Sequence, residues 1–225
     1  MRRAYLAGVL MAGFMLHAGG ARAGVITNGS FEINSVSQGL DGVPLSSGNT
    51  DVTGWIIGNS NNSVYWEDSA GHGNPVQDGN YDISIGHNGN TGETLSQSFA
   101  TTPGTKYSVR YYLSQIQFNG GDGQTMNASV TGSVLTGSQN LIVPTDQDIW
   151  HLEQFNFTAD AASSTLTFTD TTPGDQGFQS NFALDNVVVT ATPEPASLGL
   201  IAVAAWMLTG RSRGTRLSTP TTPFA

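Results

Sequence analysis

The sequence predicts an all-β domain, a sandwich or jelly roll, set between two processing segments. Three observations carry this. Gly, Thr, Ser and Asn make up ninety-one of the 225 residues, only 11% are charged, and two-residue alternation recurs between turn signals. Those four residue types suit strands joined by many turns. A helix bundle or coiled coil would be rich in Ala, Glu, Lys, Leu and Arg instead.

Period-2 reading between turn residues gives the candidate strands in order. Val25–Ile33 is the first. Gly54–Ile57, Val64–Glu67, Tyr81–Gly86 and Thr94–Ala100 follow. Lys106–Phe118 is the clearest. Tyr107, Val109, Tyr111 and Leu113 point one way; Ser108, Arg110, Tyr112 and Ser114 point the other. Gln124–Thr131, Gln139–Val143 and Trp150–Thr158 come next, Leu166 and Phe168 mark another strand, and Phe182–Thr190 closes the set. Turns are expected at Asn88-Gly89, Pro103-Gly104, Gly120-Gly121-Asp122-Gly123 and Pro173-Gly174. About eleven short strands with no convincing helix match a two-sheet sandwich. Residues 24–190 suffice for one such domain with a core.

Both ends read as processing segments. Arg2 and Arg3 precede the apolar run Ala4–Leu16, and Ala21-Arg22-Ala23 is a small-x-small cleavage site. Residues 1–23 therefore read as a secretory signal helix, with Gly24 the mature start. Residues 191–225 open with Pro193, Glu194 and Pro195, continue through the apolar run 196–209, and end in a basic cluster over 211–216. The run predicts a short membrane helix of about 21 Å, against a hydrocarbon core of about 30 Å. Arg211, Arg213 and Arg216 after it should stay cytoplasmic, which places residues 24–190 outside.

Between these ends lie two basic residues, Lys106 and Arg110, against sixteen acidic ones, a net charge of −14. Such a surface favours solubility and cation binding and repels nucleic acid. With no cysteine there is no disulfide scaffold, thiol nucleophile or Cys-ligated metal. His72, His87 and His151 show no HExxH pattern, and neither a GxSxG elbow nor a GxxxxGK[ST] loop occurs. Asp78-Gly79-Asn80-Tyr81-Asp82 opens like an EF-hand loop, but Ile83 replaces the Gly that the sharp turn needs. It reads as a turn leading into a strand.

Trp55, Trp66, Trp150 and most phenylalanines are expected in the core. Tyr112, beside Arg110, projects from the opposite side of its strand. An outward aromatic next to a polar fork is how a sheet face stacks on a sugar ring and hydrogen-bonds its hydroxyls.

The tail Pro193-Glu194-Pro195-Ala196-Ser197-Leu198-Gly199, with its apolar run and arginines, resembles the PEP-CTERM sorting signal of Gram-negative bacteria. That resemblance implies recognition by an exosortase, a membrane-embedded cysteine protease, and a link to exopolysaccharide and biofilm. The chain departs from the pattern by continuing to Ala225 after the arginines. The ectodomain carries Asn28-Gly29-Ser30-Phe31-Glu32, Gly54-Trp55, Gln77-Asp78-Gly79, Leu95-Ser96-Gln97-Ser98-Phe99, Pro103-Gly104-Thr105-Lys106-Tyr107, Phe155-Asn156-Phe157-Thr158-Ala159 and Leu184-Asp185-Asn186-Val187. In this order the motifs resemble the choice-of-anchor C and DUF642 families. The resemblance implies a galactose-binding-like jelly roll, related to carbohydrate-binding modules. Plant DUF642 proteins are associated with cell-wall polysaccharide.

The same resemblance implies a structural calcium ion held by Glu32 and Asp185, because related modules hold calcium with the matching Glu and Asp. A hard cation would remove the repulsion between two carboxylates brought together by neighbouring first and last strands. The alternative is that Glu32 caps a turn and Asp185 accepts backbone amides. For function, the expectation is a secreted, surface-sorted, non-catalytic protein that binds or decorates extracellular polysaccharide or biofilm matrix, with Arg110 and Tyr112 facing the ligand. A purely structural matrix protein and a glycan-active hydrolase are the alternatives. The hydrolase would need two carboxylates facing each other about 5–10 Å apart.

Overall fold

The computed structural model describes residues 25–37, 42–68, 75–87, 91–117, 124–146, 148–173 and 181–192. Eleven strands run through them: β1 Val43–Leu45, β2 Ile56–Gly58, β3 Val64–Asp68, β4 Tyr81–Ile85, β5 Thr94–Ala100, β6 Lys106–Gln117, β7 Thr125–Thr131, β8 Leu135–Ile142, β9 His151–Thr158, β10 Ser163–Asp170 and β11 Asn181–Ala191. They form two antiparallel sheets, ordered β1-β3-β4-β11-β6-β9 and β2-β5-β10-β7-β8. The described residues contain no α-helix. This is the expected jelly-roll sandwich. Residues 1–23 and the expected tail from Pro193, Glu194 and Pro195 onward lie outside the described residues, as do the turns at Asn88-Gly89 and Gly120–Gly123.

Alternation decides which side chains meet between the sheets. On β6, Tyr107, Val109, Tyr111 and Leu113 are buried, whereas Arg110 is exposed and Tyr112 half-buried. From the other sheet come Leu95, Met126, Val130, Leu166 and Phe168. The Trp55 ring lies 5.3 Å from Phe31 and 6.3 Å from Phe168, and Tyr111 meets Phe168 edge-on at 5.0 Å. Trp55 and Trp66 fill the core as expected. Trp150 does not: it is half-buried, and its indole N–H donates to Pro75 O at 2.9 Å. A ring with a polar edge can serve a surface segment as well as a core.

The expected first strand, Val25–Ile33, is absent as a strand. Asn28 and Phe31 take φ of 53° and 58°, the left-handed region that no strand tolerates. The segment forms a turn instead. Asn28 accepts Ile33 N–H at 2.9 Å and donates to Ile33 O and Thr53 O, and Trp55 and Trp66 donate their indole N–H groups to Asn28 O and Phe31 O. Gly29 has no room for a side chain, since a Cβ would lie 1.9 Å from Val187 O. The close approach lets Val187 N–H reach Gly29 O at 2.8 Å. β1 is the strand that periodicity missed. It has three residues and contains Pro44, which is tolerated because β1 is a sheet edge.

Candidate functional site

The two outer faces differ in chemistry. On the five-stranded sheet, Thr94, Ser96 and Ser98, Thr165, Thr167 and Thr169, and Asn127 and Ser129 alternate with core residues. Among the described residues this face carries no charged or aromatic side chain. The outer face of the six-stranded sheet holds Tyr65, Glu67, Asp82, Ser84, Asp185, Arg110 and Tyr112. Register sets its rows. Tyr112 lies between Asp185 and the 45% exposed Leu152; Arg110 lies between Val188 and Gln154. The structure therefore brings Arg110 and Tyr112 onto one accessible face, two residues apart.

Beside them sits a cluster that sequence reasoning missed. The His87 ring lies 4.2 Å from the Tyr65 ring. Its Nε2 is 2.7 Å from Ser84 Oγ and 3.2 Å from Glu67 Oε1, and Asn181 Nδ2 reaches its two ring nitrogens at 3.1 and 2.9 Å. A Ser–His–Glu grouping invites comparison with a nucleophile triad, but the geometry is different. Ser84 is fully buried and donates its hydroxyl to Glu67 at 2.8 Å, so no free oxygen faces a substrate. Alternation against Val64 and Trp66 would have placed Tyr65 and Glu67 on the outer face. Nothing local announces His87, which arrives from the end of β4.

Glu32 and Asp185 do converge, on one turn. Asp185 Oδ2 accepts Gln77 N–H at 3.1 Å and Asp78 N–H at 2.8 Å, and Oδ1 accepts Asn186 N–H at 2.6 Å. Glu32 Oε1 accepts Asn80 N–H at 2.7 Å and Tyr81 N–H at 2.9 Å. Glu32 lies in the turn that replaces the expected first strand, not in a strand. A β-bulge between Asp185 and Val188, with Asn186 at φ 48°, turns Asp185 outward while Val187 stays in the core. Complete burial pushes the Asp185 carboxyl up to about 8; the Asp78 and Asn186 N–H bonds oppose this, and the charges of Asp82 and Asp78 add to it. The charge suits a cation: several carboxylates meet here, and no described lysine or arginine pairs with them. Among the described residues no three His, Asp or Glu side chains form a metal cluster. Calcium would therefore need backbone carbonyls or water beside Glu32 and Asp185, oxygens that it accepts readily.

A second carboxyl pair closes the core at the β5–β10 end. Glu93 and Asp170 are 0% and 2% exposed; Asp170 N–H donates to Glu93 O at 2.9 Å, and the neighbouring Gly92 N–H donates to Asp170 O at 3.0 Å. Ser63 Oγ donates to Glu93 Oε1. Burial pushes the Asp170 carboxyl up to about 6, opposed by its bonds from Thr172 and reinforced by Glu93.

Fold and face together define a jelly-roll sandwich that presents a polar, aromatic-bearing sheet surface. The chain belongs to the family described as "Protein of unknown function (DUF642)", whose model matches residues 24–190. A comparison with curated proteins found no match. Among solved structures, the chain is similar to the carbohydrate-binding module TmCBM61 in complex with β-1,4-galactotriose. The TM-score is 0.55 at 14% identity, covering 76% of this chain and 100% of the module. It is also similar to a Stig cyclase, Fisc from Fischerella sp. TAU, with TM-score 0.56, 16% identity, and 78% and 100% covered. A third likeness is to the enzymatically active domain of tailspike protein 4 of bacteriophage CBA120. There the TM-score is 0.51 at 10% identity, over 76% of this chain and 22% of that one. These likenesses establish a shared fold.

The Asp170 carboxyl generates a pH prediction. Its folded value, about 6, stands above its ordinary 3.8. Its contribution to stability is therefore fully present below pH 4 and is lost as pH rises through 6, on the order of 2–3 kcal/mol. Asp170→Asn keeps an oxygen for Thr172 N–H and removes the titration. Urea midpoints measured from pH 4 to 7 should show wild type losing stability relative to Asp170→Asn by about that amount. Parallel curves would contradict the prediction.

Proposed function

We propose that this protein is exported, sorted through its C-terminal tail to the surface of a Gram-negative cell, and binds extracellular polysaccharide there without catalysis. The observation that carries the reading is the asymmetry of the two sheets. The accessible aromatic Tyr112, with exposed Leu152 and Arg110 in adjoining positions, lies on one outer face, while the other, hydroxyls and amides with exposed Ile56 and Ile142 at its edges, has no aromatic or charged side chain among the described residues. Sugar rings stack on aromatic faces, and side-chain amides and guanidinium groups hydrogen-bond their hydroxyls. The fold likeness to a module bound to a galactotriose supports the same reading. Glu67 and Asp82, a cross-strand carboxylate pair on this face, are 2% and 0% exposed, which favours binding over glycoside hydrolysis.

Tyr112→Ala should weaken binding about fivefold on whichever polysaccharide a glycan array identifies, since one stacking contact is worth about 1 kcal/mol. Unchanged affinity would remove Tyr112 from the site, and a blank array would overturn the reading.

Within the same reading, calcium at Glu32 and Asp185 would tie the turn 28–32 to the last strand. It would then stabilise the domain by linkage with its concentration. The melting midpoint should rise in calcium over chelator and stop responding in Asp185→Asn. A midpoint that never moves would refute the site.

Sorting rests on the PEP-CTERM resemblance and its exosortase partner. Deleting Pro193–Ala225 should release the protein into the medium, whereas the full chain is first retained and then processed. Equal distribution of both forms among cell fractions would count against it.

A further inference from the structure

Lys106 and Arg110 are the only basic side chains in a region, residues 24–190, of net charge −14. Both stand on β6, four residues apart, opposite the buried Tyr107 and Val109 and therefore on the same outer face as Tyr112. At strand spacing they are about 13 Å apart. Both are exposed, and no ion pair among the described residues involves either.

Their surroundings are neutral. Lys106 lies opposite Thr158, and Arg110 opposite Gln154 and Val188. The nearby acids are engaged elsewhere. Asp160 accepts Ser133 and Val134 N–H, Glu153 accepts the Gln139 amide, and Asp185 accepts the turn at 77–78. Lys106 also lines a cavity of about 410 Å³ with Thr136, Asn156, Phe157, Thr158 and Thr192, one aromatic ring among hydroxyls, one amide and one ammonium, without a carboxylate; the Thr136 hydroxyl already donates to Val130 O. At physiological ionic strength, fields fade beyond about 8 Å, so the Lys106 end of β6, on the far side of Arg110 from Asp185, is locally positive on an acidic domain.

We propose that the polysaccharide held on this face is acidic: a polymer of carboxylate-bearing sugars, such as uronic acids. The Lys106 cavity receives one carboxylate, the Arg110 guanidinium takes another farther along the chain, and Tyr112 stacks on a ring beyond it. A guanidinium matches a carboxylate with two parallel hydrogen bonds, whereas an ammonium serves as a point charge among hydroxyl donors. The inference rests on the polysaccharide reading above and names its substrate class.

The test uses the full chain with polygalacturonate and its fully methyl-esterified form, polymers that differ in charge. Polygalacturonate should bind at least tenfold tighter at 150 mM salt, and raising salt to 500 mM should erode that preference. Lys106→Gln should weaken it about threefold and leave the ester unaffected; Arg110→Gln, which also loses its bonds to hydroxyls, should weaken both polymers but polygalacturonate about threefold more, and the double variant should weaken the preference about tenfold. Tyr112→Ala should weaken both polymers alike. Equal affinity for the two polymers, or a preference unmoved by Lys106→Gln and Arg110→Gln, overturns the acidic assignment and leaves the polysaccharide reading standing. Binding to neither polymer also overturns the assignment; the broader reading fails only if the glycan array is blank as well.

Discussion

The structure depends on a buried carboxylate that must be satisfied. Asp185 sits fully enclosed in the last strand, where an unbonded charge would be costly. The sandwich meets that demand by bringing the turn at 77–81 across the sheet, so that two of its N–H groups reach Asp185 and two more reach Glu32. Gln77 adds a side-chain bond from Asn186 at 2.8 Å. Three segments distant in sequence are thereby locked together: the turn at 28–32, the turn before β4, and the bulge of β11.

That lock has consequences for the surface. The bulge changes the register of β11 against β6, so that Asp185 pairs with Tyr112 while Val188 pairs with Arg110. One half of the outer face holds the hydrogen-bonded Glu67, Ser84 and His87 beside the buried Asp82 and Asp185. The other half is left open, with β6 and β9 presenting Arg110, Tyr112, Leu152 and Gln154. A face divided in this way has a rigid, hydrogen-bonded side beside an accessible one.

The buried acids are distributed unevenly in role. Asp185 is held by backbone donors, so its environment both opposes and accommodates its charge. Glu93 and Asp170 face each other at the end of the core, where Glu93 makes ionisation of Asp170 less favourable. The acidic composition therefore does more than solubilise the surface: part of it closes the sandwich from within.

Much of this was legible in the sequence. Two-residue alternation located ten of the eleven strands, and on β6 it separated the core residues from Arg110 and Tyr112, because strand geometry imposes that period locally. The short edge strand β1, with Pro44, carries too little pattern to show. Alternation also misread Val25–Ile33, whose apolar residues serve a turn: left-handed Asn28 and Phe31 are set by contacts with Trp55, Trp66 and Val187. Glu32 and Asp185 could be paired from the sequence only through the expected adjacency of first and last strands and through resemblance, not through any local pattern. Their shared partner lies 48 residues from one and 107 from the other. Alternation could place Tyr65 and Glu67 outward and Asp170 inward, but nothing local showed that His87 would join the first two or that Glu93 would meet Asp170. Sequence by itself determined which residues could face in and which out, since that follows from backbone period and side-chain polarity. Tertiary structure alone decided which polar groups met, because those contacts join strands far apart in the chain and exist only once the sheets have closed.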